Sequence, residues 1–283
     1  MEFFNCRLIK FTASDKVKLE GILLGTNKKT CLIYLHGMNG NFYKNSIPFE
    51  LSKQDKFSVF SINTRGHDVI STARKENSTR SFLAGTGAEI FTDCIKDIEG
   101  AIGVLENLGF KKIILSGHST GCQKATYYVY KKKDKRVSAV MLFAPADDYS
   151  IMKKELGKNF NKFSRKIRKN LKDKKNLPLI DFNLFTSQRL NSAYNNKSIE
   201  ASIFNYDDKM EIFSKIKVPV FAVFGSSEEY KDRPVSKYIS ILKSKTTSPY
   251  FYGKVIKNAK HSFYGYEKDL KSNALDFINN VIR

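Results

Sequence analysis

Apolar residues along the chain come in short continuous runs, separated by polar stretches with helical spacing. The runs at 31–35, 57–62, 113–115, 137–143, 218–224 and 251–256 are the clearest. Continuous rather than alternating runs fit strands buried on both faces. Residues 17–24 read as an earlier strand in an antiparallel hairpin with 7–11. Between the runs, Ile90, Phe91, Cys94, Ile95, Ile98, Ala101, Ile102 and Leu105 fall at i, i+3, i+4 spacing. That pattern predicts a helix over 88–108, with Gly109 as its stop. A second helix is expected from just after Ser119 to about Lys131. A third is expected at the C-terminus, with Leu270, Ala274, Phe277, Ile278 and Val281 on one face. Strands alternating with helices predict an α/β class with a mostly parallel sheet flanked by helices.

One stretch breaks this alternation. From 147 to 215 there is no strand-like run, and residues 151–180 carry eleven Lys or Arg against two acids. Sixty-odd residues exceed a plain loop. The expected organisation is a core of 1–146 and 216–283, with 147–215 inserted as a helical cap. Within the cap, Phe160, Phe163, Leu179, Phe182, Phe185 and Tyr194 either anchor it to the core or line an acyl channel.

Composition adds a strong basic excess, with 49 Lys and Arg against 28 acids and a net charge of +21. Lys outnumbers Arg 39 to 10, and 21 Asn accompany them, so a compositional bias accounts for the excess. Attraction to anionic partners is the sharper alternative. Direct nucleic-acid recognition leans on Arg and aromatic platforms, and neither stands out, so no nucleic-acid partner is expected. No run approaches the roughly 20 apolar residues of a membrane helix, and no integral membrane association is expected. The first residues lack the basic-then-apolar layout of a signal peptide. Cys6, Cys31, Cys94 and Cys122 form no CxxC pair. They read as reduced and mostly buried, which predicts a cytoplasmic location.

The chemistry concentrates at strand ends. Gly117-His118-Ser119-Thr120-Gly121 follows one predicted strand and precedes a predicted helix. This is the context of a nucleophile elbow, a tight turn that exposes Ser119 Oγ above the sheet. Serine needs a base. Of the four histidines, His261 lies after the last strand and is the candidate, whereas His67 and His118 read as structural. The base needs an acid to set its tautomer. Glu228 follows the strand at 218–224, with Glu229, Asp147 and Asp148 as rivals. Two backbone amides should form an oxyanion hole, and Met38 and Thr120 are the candidates. The 35–41 loop could instead hold phosphate, but it has neither a Gly-Lys-Ser/Thr ending nor GxGxxG. No acid or Cys sits beside the histidines at ligand spacing, so neither metal nor cofactor is expected.

Together HGMNGN, INTRGHD, GHSTG, FGSSEEY and NAKHSF resemble the α/β-hydrolase superfamily over nearly the whole chain. With the run Gly87-Ala88-Glu89-Ile90-Phe91, the pattern is similar to a poorly characterised subfamily of small serine hydrolases. The family acid is most often Asp, and here the matching position is Glu228. Serine at the elbow sets the chain apart from dehalogenases and epoxide hydrolases of the family, which carry Asp there. The resemblance implies a serine hydrolase cleaving an ester of a small or medium acyl group through an acyl-enzyme. Alternatives are a thioesterase or acyltransferase serving a carrier-bound chain, and a non-catalytic binding protein of the same fold. The basic cap suggests a cationic rim for anionic substrates or an acyl carrier protein, with Lys166, Lys169 and Lys172 as its charges.

Overall fold

The computed structural model describes residues 3–173 and 184–281. Among these residues there are ten strands: β1 Cys6–Thr12, β2 Lys18–Leu24, β3 Thr30–Leu35, β4 Ser58–Ile62, β5 Ser71–Arg74, β6 Ser81–Ala84, β7 Lys112–His118, β8 Val137–Phe143, β9 Val220–Gly225 and β10 Phe251–Ile256. The helices are α1 Ile47–Leu51, α2 Cys94–Asn107, α3 Thr120–Lys132, α4 Asp148–Leu156, α5 Phe160–Lys172, α6 Ser187–Tyr194, α7 Ile199–Ile203, α8 Glu211–Ser214, α9 Val235–Lys245 and α10 Glu267–Val281.

Eight strands form one sheet in the order β1-β2-β4-β3-β7-β8-β9-β10. Strand β2 runs antiparallel to both its neighbours, β1 and β4, and β4, β3, β7, β8, β9 and β10 run parallel to one another. This matches the expected α/β hydrolase architecture. Every residue of β3, β4 and β9 is buried, as their largely apolar sequences require of strands covered on both faces; in β4 the buried Ser58 and Ser61 hydroxyls donate to Asn27 O and Phe42 O. The parallel strands all end at one edge, and the loops leaving that edge carry the chemistry.

Helix α3 lies under the centre of the sheet, with Thr120 through Val129 buried. Helix α10 covers the far edge with Leu270, Ala274, Phe277 and Ile278, the face expected from its spacing. Helix α2 begins later than expected, at Cys94, after a short turn at Phe91–Asp93. Residues ahead of that turn serve other contacts. Gly87 O accepts the Thr186 N–H at 2.7 Å, and Glu89 is buried against Lys124 at 2.7 Å. Gly109 ends the region in the left-handed conformation, at φ +90°. The sequence reading did not assign the β5–β6 hairpin, α1 or α9.

Residues 147–215 carry α4 to α8 and no strand among the described residues, and their apolar side chains divide in two. Ile167, Phe185 and Leu190 form a small cluster of their own, with Phe163, Leu171 and Tyr194 against it. Ile203, Phe204, Tyr206, Met210 and Phe213 instead join the main core. The side chains of the smaller cluster thus all lie before α7. Of the expected anchors, Phe160 and Phe185 are buried, and Leu179 and Phe182 lie outside the described residues. Cys31, Cys94 and Cys122 are buried, and Cys6 is exposed. Among the described residues no helix is long and apolar enough to cross a membrane.

Candidate active site

The turn from β7 into α3 is tight. Ser119 adopts φ 54° and ψ −125°, a conformation that costs an L-residue strain and is held by its surroundings. Its N–H donates to Phe143 O at 2.9 Å, tying the elbow to β8. The flanking glycines are sterically required. A Cβ on Gly117 would lie 2.1 Å from the Gly121 backbone, and one on Gly121 would lie 2.3 Å from Leu35 O. Only a bare backbone allows the helix to approach both strands so closely.

His261 enters from the loop after β10. Its Nδ1–H donates to Glu228 Oε1 at 2.8 Å. That bond sets the tautomer in which Nε2 carries the lone pair. Glu228 is almost fully buried, and Oε1 also accepts the Tyr230 N–H at 3.0 Å. The neighbouring Glu229 has a different task. Its Oε2 accepts the backbone N–H of His261 at 2.8 Å. Tyr230 stands edge-on to the His261 ring at 4.8 Å. Of the other rivals, Asp147 caps α4 through the Ser150 N–H, and Asp148 accepts from Gln123 Nε2, each at 3.0 Å.

The remaining histidines are bonded within the scaffold. His118 Nε2–H donates to the carbonyl of His261 at 2.8 Å. Burial, with His261 adding to it, pushes the His118 imidazole down to about 3. His36 Nδ1–H donates to Gly37 O, and its Nε2 accepts from the Thr64 N–H. Burial and then Lys124 push His36 down to about 3 as well. Both rings are neutral spacers at physiological pH. His67 Nδ1–H donates to Thr64 O at 3.0 Å.

Ser119, His261 and Met38 line one cavity of about 370 Å³, together with Asn39, Asp148, Ile151, Met152, Glu155, Tyr194 and Tyr230. The loop bearing Met38 presses on the elbow, since a Cβ on Gly37 would lie 3.0 Å from Ser119 Cβ. Thr120 is buried in the first turn of α3, next in the chain after Ser119. None of the expected rim residues Lys166, Lys169 and Lys172 lines this cavity. They lie on α5, whose residues border a different depression. Among the described residues no group of His, Cys, Asp or Glu could hold a metal ion.

Sequence reading missed the supporting contacts. Glu229 and His118 both hold the backbone of His261, and Gln123 holds Asp148. A buried charge cluster also links insertion and core. Glu89 pairs with Lys124, Arg189 pairs with Glu200, and Arg189 faces Glu89 at 3.7 Å. A buried charge demands a partner, but the partner's position in sequence is free.

Residues 30–209 match a family model described as the alpha/beta hydrolase fold. Among solved structures, an esterase of Pyrococcus furiosus superposes with a TM-score of 0.62 at 17% identity, over 99% of this chain and 94% of that one. Est1E of Butyrivibrio proteoclasticus, solved with ferulic acid bound, gives 0.66 at 15% identity, over 96% and 98%. A carboxylesterase of Bacillus subtilis gives 0.56 at 17% identity, over 98% and 93%. At these identities the likeness is one of fold. No curated protein matches the sequence.

Proposed function

This chain belongs to the α/β hydrolase family, and from that premise we propose that it is a serine hydrolase cleaving a carboxylic ester through an acyl-enzyme. The reading rests on one observation above all. Ser119 and His261 share a cavity, and His261 Nδ1 is committed to buried Glu228. With Nδ1 occupied, Nε2 is the nitrogen left to take a proton.

In this mechanism Ser119 Oγ attacks the ester carbonyl as His261 Nε2 accepts its proton. Glu228 stabilises the imidazolium that forms. The amides of Met38 and Thr120 hold the oxyanion, and the positive end of α3 adds to their field. His261 then protonates the departing alkoxide. Water, activated by the same base, releases the acid.

The cavity wall bears on the substrate. Ile151 and Met152 offer an apolar surface for a small or medium acyl group, and the polar lining includes Asp148 and Glu155. Lys44 lies in the same lining, so the wall supports an apolar acyl group and favours neither sign of charge. A ladder of p-nitrophenyl esters, assayed with wild type and Ser119→Ala, tests the proposal. Turnover that is lost in Ser119→Ala supports it. Turnover that survives the substitution, or no turnover of any ester, counts against it.

A further inference from the structure

Two rings touch the imidazole of His261, and they differ in access. The His118 ring stands 4.8 Å from it, centroid to centroid, and the Tyr230 ring stands at the same distance, turned by 74°. His118 is 8% exposed, and its Nε2–H is spent on the His261 carbonyl. Tyr230 is 52% exposed and lines the cavity that holds Ser119. Of the two, Tyr230 is the ring that an entering molecule can reach.

Tyr230 is exposed but held. Its backbone N–H donates to Glu228 Oε1 at 3.0 Å, the same oxygen that accepts from His261 Nδ1. One carboxylate oxygen thus fixes the imidazole and the chain that carries the tyrosine. A large ring on a pinned backbone, already packed against His261, has little freedom left to lose on meeting a ligand. Among the described residues the Tyr230 hydroxyl has no hydrogen-bond partner, so the side chain is tied to the protein through its ring alone.

Proton transfer decides which half of an ester meets that ring. His261 Nε2 must deliver its proton to the departing alcohol oxygen, so that oxygen sits about 3 Å from the imidazole in the reacting complex. The carbons beyond it start beside the open ring that flanks the imidazole, which is Tyr230. The acyl half has a wall of its own in Ile151 and Met152, which come from α4.

We infer that Tyr230 is the platform for the alcohol half of the ester and selects alcohols that carry an aromatic ring. Paired aromatic rings gain more than their buried area alone supplies. The inference deepens the serine-hydrolase reading and rests on it for the leaving group. The aromatic subsite itself can be tested without turnover.

Two measurements separate the claims. The first compares kcat and KM for the phenethyl and cyclohexylethyl esters of butyric acid. The two alcohols leave with similar ease, since each ring is separated from the oxygen by two carbons, and the cyclohexyl ring is the more apolar. Tyr230→Leu keeps apolar bulk and removes the ring. It should lower the preference for phenethyl over cyclohexylethyl roughly 3- to 10-fold, mainly through KM. Tyr230→Phe should keep the preference. The second measures binding of phenethyl alcohol and of cyclohexylethanol by ligand-observed NMR, where Tyr230→Leu should cost phenethyl alcohol the same relative affinity.

A Tyr230 that only buttresses His261 would move both esters alike, through kcat, and that result overturns the inference. So does a preference that Tyr230→Phe loses as fully as Tyr230→Leu, because the hydroxyl and not the ring would then carry it. If neither ester is turned over while phenethyl alcohol loses its relative affinity in Tyr230→Leu, the aromatic subsite stands and the hydrolase reading fails. If both esters are turned over and their ratio is unmoved in Tyr230→Leu, the hydrolase reading stands and this inference fails.

Discussion

His261 Nδ1 stands 2.8 Å from Glu228 Oε1, while the backbone N–H of the same histidine is held at 2.8 Å by Glu229 Oε2. Two consecutive carboxylates thus divide the work of positioning one residue. Glu228 orients the ring and answers its charge. Glu229 orients the chain that carries it.

The division is measurable. Glu228→Gln removes the negative charge facing Nδ1 and can present an amide donor there, so kcat should fall by about 10³ to 10⁴. Glu229→Gln keeps an acceptor for the His261 N–H, and its kcat should fall by less than about 10-fold. Steady-state kinetics on one ester, with both variants checked for folding, decides the assignment. Equal losses would contradict it.

His118 and His36 are kept neutral by burial, each pushed from 6.5 down to about 3. Between those values the unfolded chain binds more protons than the folded one. Their contribution is therefore complete above about pH 6.5 and is lost as the pH falls toward 3. Replacing His118 with Gln, which retains a donor for His261 O, should shrink the drop in melting temperature between pH 7 and pH 4. An unchanged drop would mean that His118 is not a source of acid sensitivity.

Glycine substitutions should split by location. Gly117→Ala puts a methyl 2.1 Å from the Gly121 backbone, so the elbow must shift and stability should fall by several kcal/mol. Gly103 lies inside α2, and a methyl placed there would meet nothing within 4 Å. Gly103→Ala should stabilise the protein by about 0.5–1 kcal/mol through helix propensity. Urea unfolding of both variants tests the pair.

Arg189→Met should destabilise strongly. It leaves Glu200 buried without its ion pair and deprives Glu89 of one of two cations. Breaking such a buried pair costs about 3–5 kcal/mol. A loss below about 1 kcal/mol in urea unfolding would show that the cluster is not a link between insertion and core.

Strands were legible where apolar residues ran unbroken, as at Thr30–Leu35 and Val220–Gly225. The candidate site was legible for a related reason. Ser119, Glu228 and His261 each follow a strand end by a few residues, so predicting the strands also located the loops. What escaped detection depends on contacts distant in sequence. The start of α2 shifts because Glu89 is needed at Lys124. The β5–β6 hairpin is built from the short, mostly exposed segments STAR and SFLA, and the three apolar residues of SFLA are too short a run to read as a strand. Phe204 and Phe213 join the main core from within a stretch that reads as cap, because helical spacing does not say which surface a helix meets. Asp148 entered the reading as a rival acid for His261. Its position on the cavity wall depends on Gln123, and nothing local signals that bond.

The proposed chemistry stands or falls with Ser119 as an activated nucleophile. Covalent labelling by a fluorophosphonate probe reads that property without a known substrate, by intact mass on wild type, Ser119→Ala and His261→Ala. Wild type should carry a single adduct on Ser119, and Ser119→Ala none. In His261→Ala the labelling rate should drop by orders of magnitude, because the hydroxyl has lost its base. Folded wild type that takes no label, or an adduct that persists in Ser119→Ala, would rule the nucleophile out.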